Sequence, residues 1–170
     1  MTYFIIGAVV LGLLIYLGAK GNADTKNVEK YGGLRNKYNV LIGNIMSRNP
    51  YYQIFEKNSN NIVLSCTGMT FRLIELDKKL QVVWRWERFG SGKVYNFKWS
   101  FPESMDQNKM YQEIDIHLAI QNLVDGGLTE TQAKDFYPIT QASSEEEGER
   151  LVNKFKNKYP NVLENLMAGI

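Results

Sequence analysis

The chain has 170 residues, 44% of them hydrophobic and 22% charged, with a formal net charge of +2. So even a balance offers no global field for nucleic acid or for acidic substrates. One cysteine and one histidine exclude an internal disulfide and leave too few soft ligands for a zinc site.

In chain order, the first element is the uncharged run Tyr3–Ala19, YFIIGAVVLGLLIYLGA, closed by Lys20. Its Phe, Ile, Val and Leu residues favour insertion into a bilayer by roughly 3 to 6 kcal/mol before the glycines are counted against them. As a helix it covers about 26 Å, a little less than a hydrocarbon core, and Lys20 reaches the interface by snorkelling. Only Met1 and Thr2 precede it, whereas a cleaved leader opens on a basic region. The expectation is a single-pass anchor, with Tyr3, Phe4, Ile5, Leu13, Leu14, Tyr16 and Lys20 as its characteristic residues. Ala8 and Gly12 are spaced so that two such helices could approach closely, although ordinary membrane helices carry that pattern too. Between Lys20 and Pro50 stand six basic and two acidic side chains. The positive-inside rule then places the globular part on the cytoplasmic side.

A short polar spacer is expected over Gly21–Thr25. From Val28 the apolar residues Tyr31, Leu34, Tyr38, Leu41 and Ile45 recur at three- and four-residue steps, predicting an amphipathic helix that is firm over Leu34–Ser47 and ended by Asn49-Pro50. The period then changes to two. Strands are predicted over Tyr51–Lys57, Ile62–Cys66, Met69–Asp77, Leu80–Phe89 and Val94–Phe101, with connections short enough to join only antiparallel neighbours. A two-residue Ser91-Gly92 turn would place Trp86 opposite Phe97, Trp84 opposite Trp99, Val82 opposite Phe101, and Arg85 opposite Lys98. A two-residue turn between the third and fourth strands would place Leu73 opposite Trp84, and a three-residue loop Arg72; the first is physically better. After Pro102, Ser104 is expected to cap a helix reaching about Val124, stopped by Gly126-Gly127. Thr129–Gln132 is a capping-box match for a short helix ended by Pro138. Ser143 or Ser144 opens a last helix, acidic at its start and basic at its end, and Pro160 breaks it.

Catalytic vocabulary is sparse. His117 lies one helical turn from Glu113, a spacing that a solvated helix face explains. Cys66 sits in an apolar strand, where a small buried side chain is the usual role. The Gly90–Lys93 stretch precedes a strand, so it offers no helix N-terminus for phosphate. No catalytic residue, metal ligand or cofactor site is expected. The aromatic set Trp84, Trp86, Phe97, Trp99 and Phe101 reads as one face of a sheet, with charges on the other. It serves as core or, in the competing reading, as an apolar groove. Val152, Phe155, Tyr159, Val162 and Leu166 follow the 3-4 spacing of a helix-packing seam and are the expected interaction surface.

The sequence thus predicts an α+β chain: one transmembrane helix, then helix, five-stranded antiparallel meander and helix, with a helical C-terminal extension. The expected divisions are an anchor (1–20), a linker (21–27), an α+β domain (28–127) and the extension (128–170). The functional expectation is a membrane-anchored, non-enzymatic interaction module. It would be an accessory or assembly subunit that meets a protein partner or its own copy, and not nucleic acid. The alternative is a carrier of small apolar ligands or lipid, using a cup between the aromatic face and the helices.

Overall fold

The computed structural model describes residues 24–90 and 92–163. The expected anchor, Tyr3 to Lys20, lies outside them. Among the described residues no helix is long and apolar enough to cross a membrane.

The fold is α+β, built on one five-stranded antiparallel sheet in the order β1-β2-β3-β4-β5. The elements are α1 (Leu34–Lys37), α2 (Asn39–Arg48), β1 (Gln53–Asn58), β2 (Asn61–Cys66), β3 (Met69–Leu76), β4 (Lys79–Glu87), β5 (Val94–Pro102), α3 (Gln107–Asp125), α4 (Glu130–Thr140) and α5 (Glu145–Lys158). By contact density the chain divides into two compact units, one up to Tyr111 and one from Gln112.

In the first unit, residues 24–29 are helical where a spacer and linker were expected. This arm ends with Gly32 N–H donating to Glu29 O and Gly33 N–H to Val28 O. Both glycines have positive φ, 78° and 100°, the left-handed geometry that a Schellman stop requires. Burial and one hydrogen bond tie the arm down. Val28 is fully buried, and Asp24 Oδ2 accepts from the Asp77 N–H at 3.1 Å. The amphipathic helix then forms as expected but in two pieces, parted at Tyr38 (φ −115°, ψ 36°). Leu34, Tyr38, Leu41, Ile42 and Ile45 form its buried stripe. The inward face of the sheet supplies Ile62, Leu64, Phe71, Leu73, Leu80, Val82, Trp84, Trp99 and Phe101 to the core.

Two strand registers differ from expectation, each by two residues. Between β3 and β4 the turn is Asp77-Lys78, not Lys78-Lys79, so Phe71 rather than Leu73 faces Trp84. Both turn residues have positive φ, 55° and 56°. That is the backbone of a type I′ turn, whose twist matches the flanking strands. Between β4 and β5 the ladder closes at Glu87 and Val94, followed by an Arg88 N–H bond to Lys93 O at 3.0 Å. The loop is therefore longer than Ser91-Gly92. Trp84 faces Phe97, Val82 faces Trp99, Leu80 faces Phe101 and Trp86 faces Tyr95. On the outer face the shift moves Arg85 from Lys98 to Asn96, which removes a like-charge cross-strand pair. A slip of two keeps every side chain on its face, so the separation of aromatic and charged faces survives both corrections.

Lys78 carries the left-handed backbone without the freedom of glycine, at a cost of about 1 kcal/mol. Lys78→Gly should stabilise the fold by roughly 0.5 kcal/mol once the added unfolded-state entropy is subtracted, read as a higher urea midpoint. An unchanged or lower midpoint would mean the turn is not strained.

Three helix ends refine the sequence reading. Asp106, not Ser104, starts α3: its Oδ1 accepts from the Lys109 N–H at 3.1 Å. In the second unit, the Gly127 N–H bonds to Val124 O and the Leu128 N–H to Leu123 O, so the glycine stop behaves as predicted. The Thr129 capping box is present in both directions, with Gln132 as its partner. Pro138 lies inside α4, which runs on to Thr140. So the proline gives up one amide bond without ending the helix. Ser144 caps α5, and Tyr159 ends it. This unit's core is Leu128, Ala133 and Phe155, with Ile120, Leu123, Val124, Phe136, Ile139, Tyr159, Val162 and Leu163 packed against it.

Candidate functional site

The aromatic residues singled out from sequence form a stacked series along the inward face of β4 and β5. Trp84 lies parallel to Phe97 at 5.7 Å, Trp86 stacks on Tyr95 at 5.3 Å, and Phe97 tilts on Trp99 at 6.1 Å. Trp84, Trp99 and Phe101 are buried, while Trp86, Tyr95 and Phe97 are half-buried. The series thus passes from core at one end of the strands to accessible surface at the other. Offset aromatic contacts of this kind add about 0.5 to 1.5 kcal/mol each beyond burial.

The expected C-terminal interaction residues are divided. Phe155 is buried, with its ring edge-on to Phe136 at 5.2 Å, and 4.9 Å from Tyr159. Tyr159 and Val162 pack against the same cluster. Val152 is half-buried, and Leu166 lies outside the described residues. The seam spacing read from sequence is therefore largely occupied by contacts within its own unit. Beside it lies a cleft of about 210 Å³ lined by Lys134, Asp135, Pro138, Leu151, Lys154, Phe155 and Lys158. Its one carboxylate, Asp135, already accepts from Lys158 Nζ and Tyr159 Oη, both at 2.6 Å. Those two donors hold it below its usual pKa.

One constellation went unnoticed in the sequence reading. Glu75 on β3 is fully buried. Its Oε1 accepts from Lys37 Nζ at 2.7 Å and from Asn27 Nδ2 at 3.0 Å. The same two donors reach Glu103 Oε1, at 2.5 and 3.1 Å. The Lys37 side chain is only 6% exposed. One lysine and one amide, from α1 and the arm, thus clamp two carboxylates, one on β3 and one just past β5. The clue lay in the strand period: Phe71, Leu73 and Glu75 share one face, so the alternation that buries the first two buries the third. Finding its partners required the tertiary fold.

The electrostatics of this clasp are those of a structural ion network. Burial opposes the Lys37 charge, but the hydrogen bonds and charges of Glu103 and Glu75 outweigh it and leave the pKa above the usual lysine value. The hydrogen bond from Lys37 is the main reason that Glu103 is held below the usual glutamate value. Both groups therefore stay charged near neutrality, whereas a general acid or base works best when poised close to the operating pH. Tyr38 Oη and Glu75 Oε2 are buried and have no hydrogen-bond partner among the described residues. Burial first, then the charge of Glu75 and its hydrogen-bonding contact, pushes the Tyr38 phenol well above its ordinary range, so it keeps its proton.

Among the described residues, no group of three or more His, Cys, Asp or Glu side chains is placed to hold a metal ion. Cys66 is half-buried and accepts from Asn49 Nδ2 at 3.5 Å. No protein-family model, curated protein or solved structure matches the chain, so the functional reading is carried by its own residues.

Proposed function

We propose that this protein is a membrane-anchored, non-enzymatic interaction module, an accessory or assembly subunit whose globular part faces the cytoplasm. The observation that carries the reading is the docking of the arm that follows the apolar N-terminal run. Asp24, Asn27 and Val28 tie it to the sheet through a turn amide, two carboxylates and the core. A sheet joined in this way to a membrane-inserted segment would have a set orientation at the membrane surface. A presenting module needs that property, and an enzyme in solution does not. The stacking of Trp84 on Phe97 and of Phe97 on Trp99 weighs toward this reading and against an apolar-ligand carrier, which needs open space where these rings meet.

The test is fractionation. Full-length protein should sediment with membranes and resist extraction at alkaline pH, while a chain lacking residues 1–20 should remain soluble and folded. Recovery of the full-length chain in the soluble fraction without detergent would overturn the proposal.

A further inference from the structure

We infer that the outer face of the sheet lies against the anionic head groups of the bilayer that holds the anchor. The inference deepens the anchored-module reading and rests on it, naming what the charged face of that module touches.

The chain as a whole is nearly balanced, with 20 basic and 18 acidic side chains. Its sheet is not. The register sets Arg72 opposite Val83 and Val83 opposite Lys98 across β3, β4 and β5. Lys79 and Arg85 share the Val83 side of β4 by alternation. All four cations are exposed. The strands contain three glutamates. Glu75 is buried on the inward face, and Glu56, opposite the buried Ile62, alternates onto that face too. Only Glu87 stands with the cations, 3.7 Å from Arg85 at the end of β4. A face that serves solubility alone intersperses both signs. This one gathers four cations against one carboxylate, the complement of an anionic surface.

Between the cations the face is apolar. Phe55 lies opposite Val63, and Val63 opposite Arg72, so one row of the ladder reads Phe55, Val63, Arg72, Val83, Lys98. Phe55 is 47% exposed, and Leu76, opposite Lys79, is 40% exposed. Apolar surface rimmed by charge marks a contact site.

The path of the chain names the bilayer as the occupant. Asp24 Oδ2 accepts the Asp77 N–H at 3.1 Å, in the turn that joins Leu76 to Lys79. Lys20, which closes the apolar run, stands four residues before Asp24, a reach of at most about 14 Å. With the run in the membrane, the corner of the sheet that carries Leu76 and Lys79 is held on that short tether beside the head groups. An acidic partner in solution has no such reason to meet this face.

The experiment uses the full-length chain, with Cys66→Ser as background, in lipid nanodiscs of phosphatidylcholine alone or with about 30% phosphatidylserine. Ser100→Cys, exposed on the outer face opposite Gln81, and Val40→Cys, exposed on α2, each carry a thiol-linked fluorophore. Quenching by acrylamide, which is uncharged, should be about threefold weaker at residue 100 in the phosphatidylserine discs and unchanged at residue 40. Combining Arg72→Gln with Lys98→Gln should remove that protection while leaving the circular dichroism spectrum as it was. Equal quenching at residue 100 in the two discs, by a chain that has entered both, would overturn this inference and leave the anchored reading standing. The face would then suit an acidic protein partner. A chain that enters neither disc would overturn the anchored reading and this inference with it.

Discussion

Replacing Lys37 by methionine should destabilise the first unit by about 3 to 5 kcal/mol, because it strands a buried carboxylate without its cation. Glu75 is wholly enclosed and the Lys37 ammonium lies 2.7 Å from it, so solvent cannot take over the lost role. Among the described residues Asn27 would remain as the clasp's donor, and a single amide compensates poorly for a missing charge. Adding Glu75→Leu to Lys37→Met should recover most of the loss, since two apolar side chains of similar volume suit the enclosed position. Denaturant titration of the wild type, the single and the double variant measures this directly. A single variant as stable as the wild type would show the ion pair to be idle. The pH dependence supplies a second readout. Glu103 is held below its ordinary value of 4.5, chiefly by the Lys37 hydrogen bond. Its contribution is therefore full above 4.5 and is lost as pH falls through the lower folded value. Lys37→Met removes that contribution, so the variant should lose less stability on acidification than the wild type.

Trp84→Ala should cost about 3 to 5 kcal/mol, the range for deleting a large aromatic from a packed core. Trp84 is 6% exposed and contacts the rings of Phe71, Trp86 and Phe97, so truncation opens a hole at the middle of the series. Arg85, one residue on, points to the opposite face and pairs only loosely with Glu87, at 3.7 Å with both side chains mostly exposed. Arg85→Ala should stay within about 0.5 kcal/mol. Paired melting curves of the two variants check the contrast. Similar small effects would mean that the aromatic face is solvated, which would return the ligand-groove reading to consideration.

These expectations draw on two levels of information. The sequence alone determined what depends on near neighbours. The change of period from 3.6 to 2 at Pro50 separated helix from sheet, and the alternation in β4 and β5 assigned each side chain to a face. The Thr129 capping box and the Gly126-Gly127 stop were legible because each is completed within a few residues. Registers were less so: a turn displaced by one residue shifts its ladder by two, and the hydrophobic pattern cannot register a slip that leaves every side chain on its face. Only the positive φ at Asp77 and Lys78, and the longer loop after Arg88, decided them. The clasp lay further still from view. Asn27, Lys37, Glu75 and Glu103 span 76 positions between the outermost two; the strand period turns Glu75 inward, but the other three, each taken alone, read as ordinary surface residues. The physical reason is that a buried charge is tolerated only when its partners arrive with it. Those partners belong to the arm, to α1, to β3 and to the end of β5, and only the folded chain brings them together.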